Sequence, residues 1–179
     1  LYTSTGSIYK DSENKINEES DIEINDMYSA SKYSSELFLN AYSEFIDIRI
    51  CRLFSVYGEG QKSGLIPTLI NKIKNGQEII LNDNIGFETN PLYVDDCCRI
   101  LSRILLLDNA PKILNIGGNQ KFNVREMAEI ISEVLKKKPI FKILNKKARK
   151  LNCDNILLNS IIPVENYIKF KDGIIKCIN

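Results

Sequence analysis

The chain contains no histidine, and this absence narrows the chemistry open to it. Without an imidazole group, neither Ser-His-Asp hydrolysis nor Cys-His catalysis is available. A zinc site would have to use cysteine and carboxylate ligands alone, and the sequence has no C-x-x-C spacing. We therefore predict no metal site. The cysteines, odd in number, are interpreted as reduced thiols of a cytoplasmic protein: Cys51, Cys97, Cys98, Cys153 and Cys177.

Long apolar runs and a strong net charge are also absent. No stretch approaches the ~20 apolar residues of a membrane span, and no secretory signal pattern is present. The formal net charge of +1 gives no electrostatic reason to expect nucleic acid or an acidic membrane surface as a partner. The lysine-rich segments at 136–138 and 142–150 are interpreted as solvated surface. With 44% hydrophobic and 26% charged residues over 179 positions, the composition predicts a soluble globular chain with one domain-sized core.

Tyr28 and Lys32 are the residues whose spacing indicates a specific chemistry. They stand four residues apart, which on a helix puts a phenol and an ammonium on one face, one turn apart. A phenol titrates near ~10 in water and is a poor base at neutral pH unless a nearby cation favours the phenolate, and Lys32 is such a cation. A tyrosine of this kind can take a proton from a sugar or alcohol hydroxyl, or return it to a carbonyl, while hydride leaves or arrives at the same carbon.

Tyr-x-x-x-Lys is a weak pattern by itself, so the interpretation depends on the motifs on either side. These are residues 1–9, 47–54, 55–58, 92–96 and 113–118. Their order and spacing resemble the NAD-dependent epimerase/dehydratase family of the extended short-chain dehydrogenase/reductase superfamily, whose members act on nucleotide sugars. The resemblance runs from residue 2 to about residue 173.

The resemblance implies a catalytic set of three residues and a dinucleotide cofactor. Tyr28 and Lys32 fall on the family's catalytic tyrosine and lysine. Thr5 matches the hydroxyl that orients the substrate oxygen, because Tyr9 holds the place of the tyrosine four residues later. The implied cofactor is NAD or NADP, and its implied ligands are Tyr28, Lys32 and Phe54.

The resemblance also implies a nucleotide-sugar substrate bound by Thr5, Ser55, Thr89 and Arg149. Two of these positions depart from the family pattern. Ser55 stands where the family usually has asparagine, and a hydroxyl does not offer the paired donor and acceptor of an amide. Thr89 holds a place often taken by an arginine that faces the diphosphate, and threonine cannot make the bidentate charged contact. The sugar and the nucleotide are therefore left open.

The family opens with a strand, a glycine-rich turn and a helix whose N-terminus binds the cofactor pyrophosphate. This sequence has no G-x-x-G-x-x-G, so we expect it to be the C-terminal part of a longer protein. The implied fold class is α/β, comprising the C-terminal part of a Rossmann-like doubly wound sheet and a smaller mixed α/β substrate-binding region. Residues 1–60 are assigned to the dinucleotide-binding domain with the catalytic helix, and 61–179 mainly to the nucleotide-sugar region. The strands at about 78–94 and 113–117 are candidates for sharing between the two.

Alternation of strand and helix patterns independently favours a layered α/β fold. Strands are predicted at about 1–5, 47–54, 78–81, 112–116 and 140–144. Helices are predicted at about 26–45, 64–75, 95–107, 124–137 and in the tail. The clearest helix is 124–137, with Asn123 as cap and Glu126 three places on. Asp95 and Asp96 are expected to cap the helix that follows them, a structural role that we prefer to catalysis.

The sequence leaves three functions open. Dehydratases of the family place Asp or Glu directly after the hydroxyl residue, whereas here Gly6 and Ser7 follow Thr5. Neither exchanges a proton usefully at neutral pH, which favours epimerase or reductase chemistry over a nucleotide-sugar 4,6-dehydratase. The alternative from another class is a truncated, non-catalytic remnant or interaction module.

A homodimer is implied by the resemblance, since family members commonly pair through the helix that bears the tyrosine. Leu37, Phe38 and Ala41 lie on that predicted helix. They either make this contact or pack on the sheet, and the sequence does not decide between the two.

Overall fold

The computed structural model describes residues 1–163 and 165–178. The strands are β1 (Tyr2–Thr5), β2 (Ile50–Leu53), β3 (Val56–Tyr57), β4 (Glu78–Asn82), β5 (Glu88–Thr89), β6 (Leu92–Tyr93), β7 (Ile113–Ile116), β8 (Phe122–Asn123), β9 (Ile140–Leu144) and β10 (Lys150–Leu151). The helices are α1 (Met27–Ala41), α2 (Leu65–Lys74), α3 (Val94–Leu105), α4 (Val124–Leu135), α5 (Ile156–Ile161) and α6 (Phe170–Ile178), with a 3-10 turn at Gly6–Ile8.

The sheet that positions the candidate site is parallel and has the order β1-β2-β7. Tyr2 pairs with Ile50 in the first interface, and Ile50 pairs with Ile113 in the second. Parallel strands need long crossover connections, and α1 occupies the connection between β1 and β2. The carboxyl ends of β1 and β2 therefore open at the same edge of the sheet. This arrangement confirms the predicted α/β class.

The fully buried side chains of helix α1 are polar, while Tyr33 is partly buried against an apolar cluster. Ser29 and Glu36 are its buried residues. Leu37 and Phe38 are 55% and 71% exposed, and Ala41 is exposed as well. These apolar side chains therefore do not pack on the sheet, which removes one of the two alternatives for them. The helix ends at Ala41, four residues earlier than predicted, and turns follow it.

A separate apolar core forms around β4 and three helices. Strand β4 pairs in parallel with β9, and the apolar faces of α2, α4 and α6 pack with it. Helix α4 carries the predicted capping box: the Asn123 side chain accepts from the Glu126 N–H, and the Glu126 carboxylate accepts from the Asn123 N–H. It ends at Leu135 instead of residue 137, because Lys136 adopts a left-handed conformation with φ of 52°.

The predicted capping role of Asp95 and Asp96 is wrong. Helix α3 begins one residue earlier, at Val94, and no side chain among the described residues caps it. Both carboxylates lie in its first turn, where they still favour the positive end of the helix dipole. Asp96 is buried, and it accepts hydrogen bonds from the Arg99 side chain and from the Ile168 N–H. It therefore ties α3 to the segment before α6.

Two-residue strands and a short helix were not predicted. Strands β3, β5, β6, β8 and β10 have two residues each, too few to show a period in the sequence.

All five cysteines are free thiols, with Cys97 buried and the neighbouring Cys98 exposed. Within residues 1–163 and 165–178, no helix combines the length and apolar character needed to span a bilayer.

Candidate active site

A cavity of about 390 Å³ opens at the carboxyl ends of β1 and β2, beside the first turns of α1 and α2. Of the residues predicted from the sequence, Thr5, Tyr28, Lys32 and Ser55 line it. The other lining residues are Thr3, Ser4, Ser7, Leu53, Val56, Gln61, Gly64, Leu65 and Ile66. The cavity lining thus combines hydroxyl groups and an ammonium with apolar side chains.

The local sequence before Tyr28 starts α1 at the place that brings the phenol to the cavity. Asp26 caps the helix: its carboxylate accepts from the Ser29 N–H at 2.7 Å, and the Ser29 hydroxyl accepts from the Asp26 N–H at 3.4 Å. The Ser29 hydroxyl also donates to the Asp26 carboxylate at 2.9 Å, and the two bonds that Ser29 donates hold the pKa of this carboxyl below its usual range. Tyr28 lies in the first turn and is 55% exposed. Sequence reasoning missed this cap, although D-x-x-S is a signal for it.

Lys32 is held against the strand that carries Thr5. Its Nζ donates to the carbonyl oxygen of Thr3 at 2.9 Å and lies 5.2 Å from the centre of the Tyr2 ring. An ammonium has three donors, so this bond fixes the head group while leaving donors for a ligand. Lys32 is therefore positioned between α1 and β1.

Thr5 ends β1 and caps the 3-10 turn. Its Oγ1 accepts from the Ser7 N–H at 3.1 Å. Because a hydroxyl both donates and accepts, the Thr5 hydrogen remains free to donate toward a ligand oxygen.

Ser55 lines the cavity and pairs with Thr89. Their hydroxyl oxygens are 2.9 Å apart. Ser55 has φ of 45°, a left-handed conformation that is uncommon for residues other than glycine and is concentrated at functional sites. Thr89 is 1% exposed and does not line the cavity. It therefore contacts Ser55 directly and reaches the cavity only through it.

Phe54 lies beneath the segment that carries Thr5, not in the cavity wall. It is 2% exposed, and its ring stacks on Tyr9 with the ring centres 6.1 Å apart. A Cβ atom added at Gly6 would lie 2.8 Å from the Phe54 ring. The ring thus occupies the space next to Gly6.

Arg149 is not brought to the cavity. Its guanidinium pairs with Asp11 at 3.1 Å and lies 5.8 Å from the centre of the Phe87 ring. Nearby Lys147 and Lys150 both pair with Glu13, and their hydrogen bonds lower the pKa of that carboxyl. In this part of the molecule, acidic side chains therefore neutralise the basic cluster.

A buried polar network behind the cavity was missed entirely by sequence reasoning. Arg52 on β2 binds the carboxylate of Glu36 on α1 at 2.7 Å and donates to the Tyr9 hydroxyl at 2.6 Å. Tyr9 in turn donates to Asn115 Oδ1 at 2.9 Å. Burial raises the pKa of Tyr9 although the Arg52 charge opposes the shift, so the phenol stays neutral and can donate. The sequence signals of this network are Glu36, which stands one helical turn after Lys32, and Tyr9, which holds a place in a family motif.

The sequence of residues 1–117 matches the family model described as the NAD dependent epimerase/dehydratase family. The chain belongs to this family. It is 26% identical over 144 residues to dTDP-4-dehydro-6-deoxyglucose reductase of Escherichia coli, a match that covers 77% of this chain and 46% of the relative. It is 28% identical over 135 residues to dTDP-glucose 4,6-dehydratase of Streptomyces niveus, a match that covers 73% of this chain and 40% of the relative. The chain spans less than half the length of these two relatives.

Solved structures share the fold of this epimerase/dehydratase-family chain. UDP-glucuronic acid 4-epimerase from Bacillus cereus, in complex with UDP-glucuronic acid and NAD, superposes with a TM-score of 0.85 at 19% identity. That match covers 98% of this chain and 58% of the epimerase. UDP-glucose 4-epimerase of Thermus thermophilus, in complex with NAD, gives a TM-score of 0.81 at 20% identity. This match covers 99% of this chain and 61% of that epimerase. The Rossmann-like fold predicted from the sequence is confirmed, and the family is NAD-dependent, as its description states.

Proposed function

We propose that this chain carries the proton-transfer and substrate side of an NAD-dependent nucleotide-sugar epimerase or reductase. The observation that carries the proposal is that the Thr5 hydroxyl, the Tyr28 phenol and the Lys32 ammonium line one cavity at the carboxyl edge of a parallel sheet. Ligands of open α/β sheets bind at this edge. The curated relatives include a nucleotide-sugar reductase, and the similar structures include nucleotide-sugar epimerases.

The residues of the cavity fit the nicotinamide end of NAD. Lys32 offers donors to ribose hydroxyls, while Leu53, Val56 and Ile66 supply apolar surface for a ring. The fit does not extend to the pyrophosphate, because the sequence has no glycine-rich phosphate turn. When bound, NAD supplies the acceptor and donor of hydride.

The proton steps belong to the chain's own residues. Tyr28 Oη takes the proton of the sugar hydroxyl as its carbon is oxidised, and returns it as the carbonyl is reduced. The Lys32 ammonium lines the same cavity, so its charge stabilises the negative charge that develops on the oxygens during this transfer. Thr5 Oγ1 donates to the reacting oxygen and so orients it. Ser55, held by the buried Thr89 hydroxyl, contributes a further donor to the substrate.

Elimination is disfavoured by the packing around Gly6. A dehydratase of this family needs an acidic side chain at this position. Here the Phe54 ring would lie 2.8 Å from the first carbon of any side chain, so an aspartate has no room without displacing a buried ring. Ser7, the next residue, lines the cavity but is neither an acid nor a base at neutral pH.

The proposal includes a cytoplasmic homodimer. Five free thiols suit a reducing compartment. The exposed apolar side chains of Leu37 and Phe38 on α1 suit burial against a second copy of the chain.

The decisive test is Tyr28→Phe in the full-length protein, assayed with NAD and a panel of UDP- and dTDP-hexoses. We expect turnover to fall by about 10²- to 10⁴-fold with little change in nucleotide-sugar affinity, because only the proton-transfer group is removed. Tyr42→Phe is the matched control, since Tyr42 follows the same helix and is 48% exposed. Unchanged turnover in Tyr28→Phe would contradict the proposal.

A binding experiment separates an enzyme from a non-catalytic remnant. The 179-residue chain and the chain extended upstream are each titrated with NAD and with a nucleotide sugar. We expect the extended protein to bind both ligands. An extended protein that binds neither and lacks a glycine-rich turn would favour the remnant.

A further inference from the structure

The buried ion pair between Glu36 and Arg52 connects two parts of the candidate active site. Glu36 stands four residues after Lys32 and eight after Tyr28, so the three share one face of α1. The Arg52 Nε and Nη2 atoms bind the two carboxylate oxygens of Glu36 at 3.1 and 2.7 Å. Both residues are 3% exposed. The catalytic helix is therefore anchored to β2 by a two-point, desolvated contact.

The remaining arm of Arg52 reaches the segment that carries Thr5. Its Nη1 donates to the Tyr9 hydroxyl at 2.6 Å and to the Glu18 carbonyl at 3.2 Å. Tyr9 lies four residues after Thr5, at the end of the 3-10 turn that Thr5 caps. Tyr9 also donates to Asn115 on β7. One guanidinium thus contacts both the helix that carries Tyr28 and Lys32 and the turn that follows Thr5.

Stability alone is a weak reason for such a pair. Buried ion pairs are often replaced by apolar side chains of similar volume without loss of stability, because desolvation offsets the Coulomb attraction. What apolar side chains cannot reproduce is the directional contact, since a guanidinium fork fixes the orientation of each partner.

We propose that Arg52 and Glu36 are positioning residues that set the separation and orientation of Tyr28 relative to Thr5. The inference rests on the proposed function for its kinetic consequence, but not for its structural one. A displacement of about 1 Å in a reacting group can cost on the order of 10²-fold in rate. Loss of the pair therefore lowers kcat without removing any group that touches the substrate.

The test compares the double variant Glu36→Leu/Arg52→Met with the single variant Arg52→Lys in the full-length protein. Lys171→Gln is the control, because Lys171 forms an exposed ion pair with Glu133 in the other half of the chain. We expect the double variant to keep an unfolding midpoint close to that of the control. Its kcat should fall about 10- to 100-fold while KM stays within about 3-fold. Arg52→Lys keeps the charge but not the two-point contact of the guanidinium. It should likewise lower kcat while leaving KM nearly unchanged.

Hydrogen exchange gives a readout that does not need turnover. We expect faster amide exchange at 6–9 and 27–33 in the double variant and unchanged exchange at 124–135. Wild-type kcat in the double variant, or equally faster exchange at 124–135, would overturn the inference. If the double variant does not fold, wild-type kcat in Arg52→Lys would overturn it. If wild-type protein turns over no nucleotide sugar, the proposed function fails, and the exchange pattern still decides the positioning role.

Discussion

At the scale of single residues, Lys32 shows how the site is organised before any ligand binds. Its ammonium is bonded to the Thr3 carbonyl, two residues before Thr5 on the same strand. A long flexible side chain is thereby held at the cavity, so less conformational entropy is lost when a ligand takes its remaining donors. The spacing of Tyr28 and Lys32 indicated that they share a face of the helix. The sequence did not indicate that Lys32 binds the Thr3 carbonyl.

Cys51 makes the stability of the chain sensitive to alkaline pH. Burial of this thiol within β2 raises its pKa from 9.0 to about 11. The unfolded chain loses the proton first, so the stability contributed by the neutral thiol is complete below pH 9.0 and declines as pH rises toward about 11. This group is expected to lower the free energy of unfolding by about 1.4 kcal/mol per pH unit in this range.

Urea unfolding from pH 8 to 11 should show a shallower decline of the free energy of unfolding in Cys51→Ala than in wild type. Cys98→Ala is the control, because that thiol is exposed. Identical slopes in wild type and Cys51→Ala would contradict this expectation.

At the scale of elements, α1 departs from the usual surface helix, because its fully buried side chains are polar. Its buried residues are Ser29 and Glu36, while Leu37 and Phe38 face outward. The inward residues are polar because they cap the helix or meet a buried arginine. The sequence predicted a helix that bears Tyr28 and Lys32, but it did not indicate which side of that helix meets the sheet.

Helix α4 follows its sequence signals closely, so its cap offers a clean energetic test. Asn123→Ala removes the acceptor for the Glu126 N–H and is expected to lower the free energy of unfolding by about 1 kcal/mol. The change should appear in urea unfolding with an unaltered m-value. Asn119→Ala serves as the comparison, since Asn119 is exposed and precedes the helix. An equal loss in both variants would show that the cap contributes nothing specific.

At the scale of the whole molecule, the outward face of α1 predicts self-association. Sedimentation of the full-length protein should show a dimer, and Phe38→Glu should shift it to monomer, because a charge is then buried against the second copy. Ile140→Glu on β9 is the matched control: Ile140 is also exposed, at 47%, but belongs to the other half of the chain. A wild-type protein that sediments as a monomer would refute the dimer.

Much of the fold was predictable because long elements carry their own periodicity. The helices at 65–74 and 124–135 and the strand at 140–144 follow local apolar patterns and caps. The two-residue strands carry no such pattern, since each is defined by a partner distant in the chain. β5, for example, pairs with both β8 and β10.

The candidate site, like the fold, could be predicted from the sequence only in part. From the sequence alone came the Tyr28–Lys32 spacing, the Thr5 hydroxyl and the family, because these depend on residue type and local order. Only the tertiary structure decided that Thr89 supports Ser55, that Phe54 lies under Gly6, that Arg149 pairs with Asp11, and that Arg52 holds Glu36 and Tyr9. Each of these contacts joins residues from segments separated in the chain. Their geometry arises only when the sheet and its helices assemble.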